Sequence, residues 1–238
     1  MPAPHPETSS IDRRARLAWL AATALVTTGL AVAAARFPGG FDWRYDVVSA
    51  LASRKYNPEG GPWFAVALAL ALACLWPVTT RLAAHLREGG RHLWPAIALR
   101  LGLIGGILVG IERAVFFHLS SRIHQAHEIV AFVAFVFLFA GQIGAFLPDM
   151  RERGARRWVA VALLIPLVGA GTSELLLFLD QRDVGWADFD WRATGLPVWL
   201  SFAFWQWLAV GLLWLGVFAL ASLPPSSHAR TRQRPHQA

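Results

Sequence analysis

Five ionisable side chains stand inside or at the edge of long apolar runs: Glu112, Arg113, His127, Glu128 and Glu174. In hydrocarbon each such group loses hydration and demands a counter-charge, a bound ion or a chemical task. Two further histidines, His118 and His124, precede His127, and His124 shares a face with it if the helix there starts early. Neutral imidazoles with a carboxylate from Glu112, Glu128 or Glu174 suit a divalent metal such as zinc, which can bring a bound water to a pKa of about 7. The corresponding chemistry is metal-assisted hydrolysis of a lipid. The same residues also read as a buried ion-pair cluster, with Glu112, Arg113, Glu128 and Glu174 paired and the histidines at the interface. Under either reading Glu112, Glu128, Glu174 and His127 should lie close together. No His-Glu-x-x-His pattern occurs, and the lone Cys74 excludes a disulfide framework or a cysteine metal site.

A second set of polar groups fills the stretch after the first apolar run: Asp42, Arg44, Asp46, Ser49, Arg54, Lys55, Asn57 and Glu59. Within it Tyr45, Val48, Leu51 and Ala52 share one helical face, which predicts a short amphipathic helix lying on the membrane. Asn57-Pro58-Glu59-Gly60-Gly61-Pro62 then stops that helix and starts the next. Near the C-terminal end Asp180, Asp183, Trp186, Asp188, Phe189, Asp190 and Trp191 read as an interfacial cap, with cation binding as the alternative.

These residues need a scaffold, and composition limits it. With 55% apolar residues among 238, the chain is an all-α integral membrane protein of one domain. A bilayer core of about 30 Å requires roughly 20 apolar residues per helix. Six segments qualify, near Leu17–Ala35, Trp63–Ala83, Trp94–Phe117, Ala126–Leu147, Trp158–Leu179 and Val198–Leu223. Residues 17–223 form this six-helix domain, and residues 1–16 and 224–238 read as disordered tails, the second of them basic. Trp76-Pro77 predicts a kink or an early exit in the second segment, and Pro166 removes one backbone bond from the fifth. The first segment also resembles a signal peptide ending at Ala33-Ala34-Ala35, although its apolar run is long for one.

The net charge of +7 would suggest nucleic acid in a soluble protein, but here the arginines sit at the ends of apolar runs, so membrane lipid replaces nucleic acid as the partner. Taking the loops alternately, 13 Lys and Arg fall on the side of both tails and 8 on the other, which makes the termini cytoplasmic. Arg100 lies within the third segment, close enough to its cytoplasmic end to snorkel. With Gln142 and Gln206 it is also the only hint of a transport path, and no internal repeat supports one. Gly102, Gly106 and Gly110 form a stripe on the third segment suited to close packing of a neighbouring helix, in this chain or a second copy. Gly106→Leu should then disrupt packing, and Gly141→Leu, outside the stripe, should be milder.

The stretch Asp46-Val47-Val48-Ser49-Ala50-Leu51-Ala52, with Gly110-Ile111-Glu112 and His127-Glu128, resembles the six-helix bacterial membrane proteins grouped as domain of unknown function 998. Those are distantly similar to the FGF-receptor-activating and DRAM-type membrane proteins. The resemblance implies a bacterial inner-membrane location and points to Asp46, Ser49 and His127 as site residues. Ala52 and Glu112 depart from the family pattern, and membership implies no activity. The expected role is binding of a lipid or membrane partner through an outward-facing polar site, with lipid hydrolase and transporter as alternatives.

Overall fold

Hydrocarbon offers the backbone no hydrogen-bond partners, so a chain of this composition satisfies its amides within helices. The computed structural model describes residues 6–116, 126–151, 154–179, 198 and 201–222. Its elements are α1 (Pro6–Ala35), α2 (Val48–Leu51), α3 (Gly61–Cys74), α4 (Trp76–Glu88), α5 (Trp94–Ala114), α6 (Ala126–Phe146), a 3-10 turn (Leu147–Arg151), α7 (Ala155–Leu179) and α8 (Phe202–Ser222). The fold is an all-α bundle, and among the described residues six helical spans are long and apolar enough to cross a membrane when α3 and α4 are taken together.

The interruption between α3 and α4 falls at Leu75, one residue before Trp76-Pro77. Proline has no N–H to donate, and the chain tightens there through Leu75 N–H to Leu72 O at 3.2 Å and Val78 N–H to Leu75 O at 3.0 Å. The Thr79 and Thr80 hydroxyls donate back to the Trp76 carbonyl, at 2.8 and 3.3 Å. Pro166, by contrast, sits inside an uninterrupted α7.

At the centre α5 is clasped between α3 and α6, and glycines set how closely. A methyl group on Gly110 would stand 2.7 Å from the Ala65 carbonyl of α3, and one on Gly102 would stand 2.8 Å from the Leu138 backbone nitrogen of α6. Gly106 meets only the end of the Leu72 side chain. The expected ranking of glycines is therefore corrected: Gly141 of α6 faces the Leu99 backbone nitrogen at 2.8 Å and is tighter than Gly106. The stripe serves packing within the chain, divided between two neighbours. Leu75, Val78, Leu99, Leu103, Phe146 and Leu167 fill the main core.

The N-terminal boundary also needs correction. Residues 6–16 are not a tail but the first turns of α1, which runs 30 residues, about 45 Å at 1.5 Å per residue. Asp12 holds this extension to α4, accepting from Arg81 Nε at 2.6 Å, with His85 Nε2 at 3.8 Å. Arg81 is almost fully buried and also donates to the Leu220 carbonyl near the end of α8. A neighbouring network centres on Asp149, buried in the 3-10 turn between Arg156 NH2 at 2.5 Å and Arg91 NH1 at 3.7 Å. Arg91 also caps α6, donating to Ala145 O at 3.3 Å. Burial of these carboxylates and arginines is tolerable because each has an opposite charge beside it.

Candidate functional site

The stretch before α3 does not lie on a membrane surface as expected; it folds into the end of the bundle. Leu51 is fully buried, and Ala50 and Ala52 nearly so, against Ala33 of α1 and Phe64 and Ala65 of α3. The predicted apolar face exists, but the small side chains around it let the turn sink between α1 and α3. Asn57, fully buried, fixes this position: its Nδ2 donates to Ala33 O at 2.9 Å and Leu51 O at 3.2 Å, and its Oδ1 accepts from Gly60 N–H at 3.0 Å. Gln206 Oε1 of α8 accepts from Val48 N–H at 2.7 Å and so caps α2. Asp46 accepts from the Asp42 amide at 2.9 Å, while its own carbonyl accepts from Trp207 Nε1 at 3.2 Å. Asp46 thus belongs to a joint with α8, and Ser49 beside it is half-buried in α2.

The polar cluster forms at the adjoining ends of α5 and α6. His127 Nδ1 lies 2.9 Å from Glu112 Oε2, and Arg113 Nε lies 3.1 and 3.3 Å from His127 Nδ1 and Nε2 and 3.5 Å from Glu112 Oε2. A carboxylate only accepts, so a neutral imidazole that donates from Nδ1 to Glu112 and accepts at Nε2 from Arg113 accounts for both of these hydrogen bonds. Their side chains are 11% (His127), 15% (Arg113) and 22% (Glu112) exposed. Glu112 Oε1 is buried with no hydrogen-bond partner among the described residues. From the loop side Arg54 NH2 donates to Ala114 O at 2.5 Å, placing a cation where the carbonyl end of α5 attracts one. Glu128 is exposed beside the cluster, near enough to act electrostatically on Arg113 and His127. Large apolar side chains flank the site, with Val115 64% and Ile129 58% exposed.

Glu174 does not join this group, contrary to expectation. It stands on α7 one turn beyond Gly171, which abuts Phe139 of α6, and no ion pair reaches it among the described residues. The α7 helix packs chiefly on α8 and the 3-10 turn, not on α5. The expected metal ligands His118 and His124 lie outside the described residues, as do the acidic last loop and the C-terminal tail. Among the described residues no three His, Cys, Asp or Glu side chains come together as a metal site. His127 uses both ring nitrogens on Glu112 and Arg113, so in this arrangement it has no lone pair to give a metal.

Gln142 and Gln206, read as a hint of a path, are joints: Gln142 Nε2 donates to Leu213 O at 2.7 Å, linking α6 to α8. Sequence reasoning noted Arg54 only as loop polarity and Asn57 as loop polarity and turn chemistry, and missed the Asp12 and Asp149 networks. Single acids set among arginines, Asp12 before Arg13 and Arg14, and Asp149 before Arg151, were the available signal. Comparison with protein-family models, curated proteins and solved structures finds no match to this chain.

Proposed function

We propose that the chain is a multi-pass protein of the bacterial inner membrane, both termini cytoplasmic, that binds a lipid headgroup through the outward-facing polar site at Glu112, Arg113 and His127. The observation that carries this reading is the composition of the site's surroundings. Three ionisable groups, joined through His127 by hydrogen bonds and between Arg113 and Glu112 by an ion pair, stand at the ends of two spanning helices, ringed by exposed apolar side chains including Val115, Phe116 and Ile129. A phospholipid presents the matching pattern, a charged head above apolar chains. Asp46 supports the site at one remove, by seating the loop that carries Arg54.

The test compares lipid retention by native mass spectrometry for the wild type, Glu112→Leu, Arg113→Leu and the double variant, alongside thermal unfolding. A merely structural pair is relieved when both members are removed, so stability returns in the double variant. Lipid retention, on this proposal, does not return with it. Full retention by the double variant defeats the reading. Stoichiometric metal in the purified protein, lost in His127→Ala, would instead favour the metal-assisted hydrolase, whose ligand set requires His118 and His124.

A further inference from the structure

Arg100 stands apart from that site. It lies six residues into α5, about 9 Å along the helix from Trp94. It shares a helix face with Ile97, Ile104 and Leu108, all more than two-fifths exposed, so this face meets lipid. Its guanidinium is nevertheless held in one direction. Nε donates to Thr79 Oγ1 at 3.1 Å, NH2 to Thr80 Oγ1 at 3.4 Å, and the group lies 5.2 Å from the centre of the Trp76 ring. Both hydroxyls lie beyond Trp76 toward Glu88, so the charge is drawn toward the membrane surface where α4 and α5 connect.

What Arg100 lacks is a counter-ion. Arg81, Arg91, Arg113 and Arg156 each have a carboxylate within 4.0 Å, whereas no carboxylate among the described residues pairs with Arg100. The two threonines bring no charge, and their protons are already committed to the Trp76 carbonyl. Its NH1 has no acceptor among the described residues and is not buried. A guanidinium at this depth is costly unless neutralised. The anions at that level of a membrane are lipid phosphates.

We propose that Arg100, oriented by Thr79, Thr80 and Trp76, binds the phosphodiester of a phospholipid in the leaflet on the Gly89–Leu93 side. The site takes the lipid's phosphate, with an acyl chain lying along the exposed Ala73 and Ile104. Arginine suits this task better than lysine, because a planar guanidinium can stack on an indole while offering paired donors to a phosphate. A guanidinium with no described counter-ion favours a headgroup of net negative charge, so an anionic lipid such as phosphatidylglycerol is held in preference to phosphatidylcholine.

The test uses the full chain in detergent, with dioleoylphosphatidylglycerol or dioleoylphosphatidylcholine added and retained adducts counted by native mass spectrometry. The wild type keeps one phosphatidylglycerol that phosphatidylcholine does not replace. Arg100→Gln loses it at least about tenfold, the scale of one charge-assisted hydrogen bond. Arg157→Gln, which removes an exposed cation beside Trp158, leaves it in place. Millimolar inorganic phosphate displacing the lipid would show that the site takes soluble anions and would overturn the lipid assignment. Equal retention by wild type and Arg100→Gln would overturn the site itself. If the glutamine variant fails to assemble, Arg100→Lys decides, since it keeps the charge but cannot both stack on Trp76 and reach both hydroxyls. A lysine variant holding the lipid as long as wild type does would refute the proposed geometry.

Discussion

Replacing glycines by alanine, one at a time, should sort them by what their added methyl meets. At Gly141 the methyl would stand 2.8 Å from the Leu99 backbone nitrogen, against 3.4 Å for ordinary contact, so α5 and α6 must part by about 0.6 Å. Overpacking of this kind costs about 1–3 kcal/mol, against which alanine returns about 1 kcal/mol of helix propensity. The net loss is about 0–2 kcal/mol, and Gly102→Ala and Gly110→Ala, which also face backbone, belong with it. At Gly106 only the Leu72 methyl is in the way, and turning it costs about 0.5–1.5 kcal/mol, close to the propensity gain. At Gly211 of α8 nothing lies within 4 Å, so alanine there should be neutral or stabilising by up to about 1 kcal/mol. Thermal unfolding of the detergent-solubilised protein would read this as about 2–4 °C per kcal/mol, giving the order Gly211→Ala, Gly106→Ala, then Gly141→Ala. Leucine at the same positions should widen the gap between Gly106 and Gly141. A Gly106 variant as unstable as the Gly141 variant, or a Gly211 variant below both, would refute the reasoning.

Three more outcomes can be checked. Asn57→Ala removes three buried hydrogen bonds, at about 1 kcal/mol each, and should cost about 3 kcal/mol in denaturant unfolding while loosening protease resistance in residues 42–60. Asp12→Ala leaves Arg81, 4% exposed, without its carboxylate and should cost about 3–5 kcal/mol; Asp12→Ala with Arg81→Met should recover most of that. Reporter fusions after Arg87 and Arg157 should read cytoplasmic and those after Lys55, Ser121 and Asp188 external, and a cytoplasmic signal at Lys55 would overturn the proposed orientation.

The spans were legible because a bilayer imposes length and apolarity on any helix that crosses it, and Trp76-Pro77 marked the one interruption in the second of them. Glu112, Arg113 and His127 were legible as a group because ionisable residues at the ends of consecutive antiparallel helices are brought to the same level. Glu174 was expected at the same level, but α7 packs chiefly on α8 and the 3-10 turn, and the choice of packing partner leaves no trace in one sequence. Asn57 looked like turn chemistry in a polar loop; its burial depends on the carbonyl of Ala33, 24 residues earlier. Asp12 was lost among prolines and arginines that resemble a tail, because its partner Arg81 is 69 residues away.

Arg81 touches both the first helix and the last, through Asp12 and the Leu220 carbonyl. These two partners arrive at very different times during synthesis. Asp12 is made before Arg81, whereas Leu220 follows it by 139 residues, about 7–28 s at roughly 5–20 residues per second. Throughout that interval the guanidinium sits in an unfinished bundle with one acceptor missing, and Asp12 is the anion that keeps it compensated. The early carboxylate therefore acts as a temporal bridge. Its loss should be felt first as nascent chains that are degraded before α8 is inserted, and only second as weakness in molecules that reach completion.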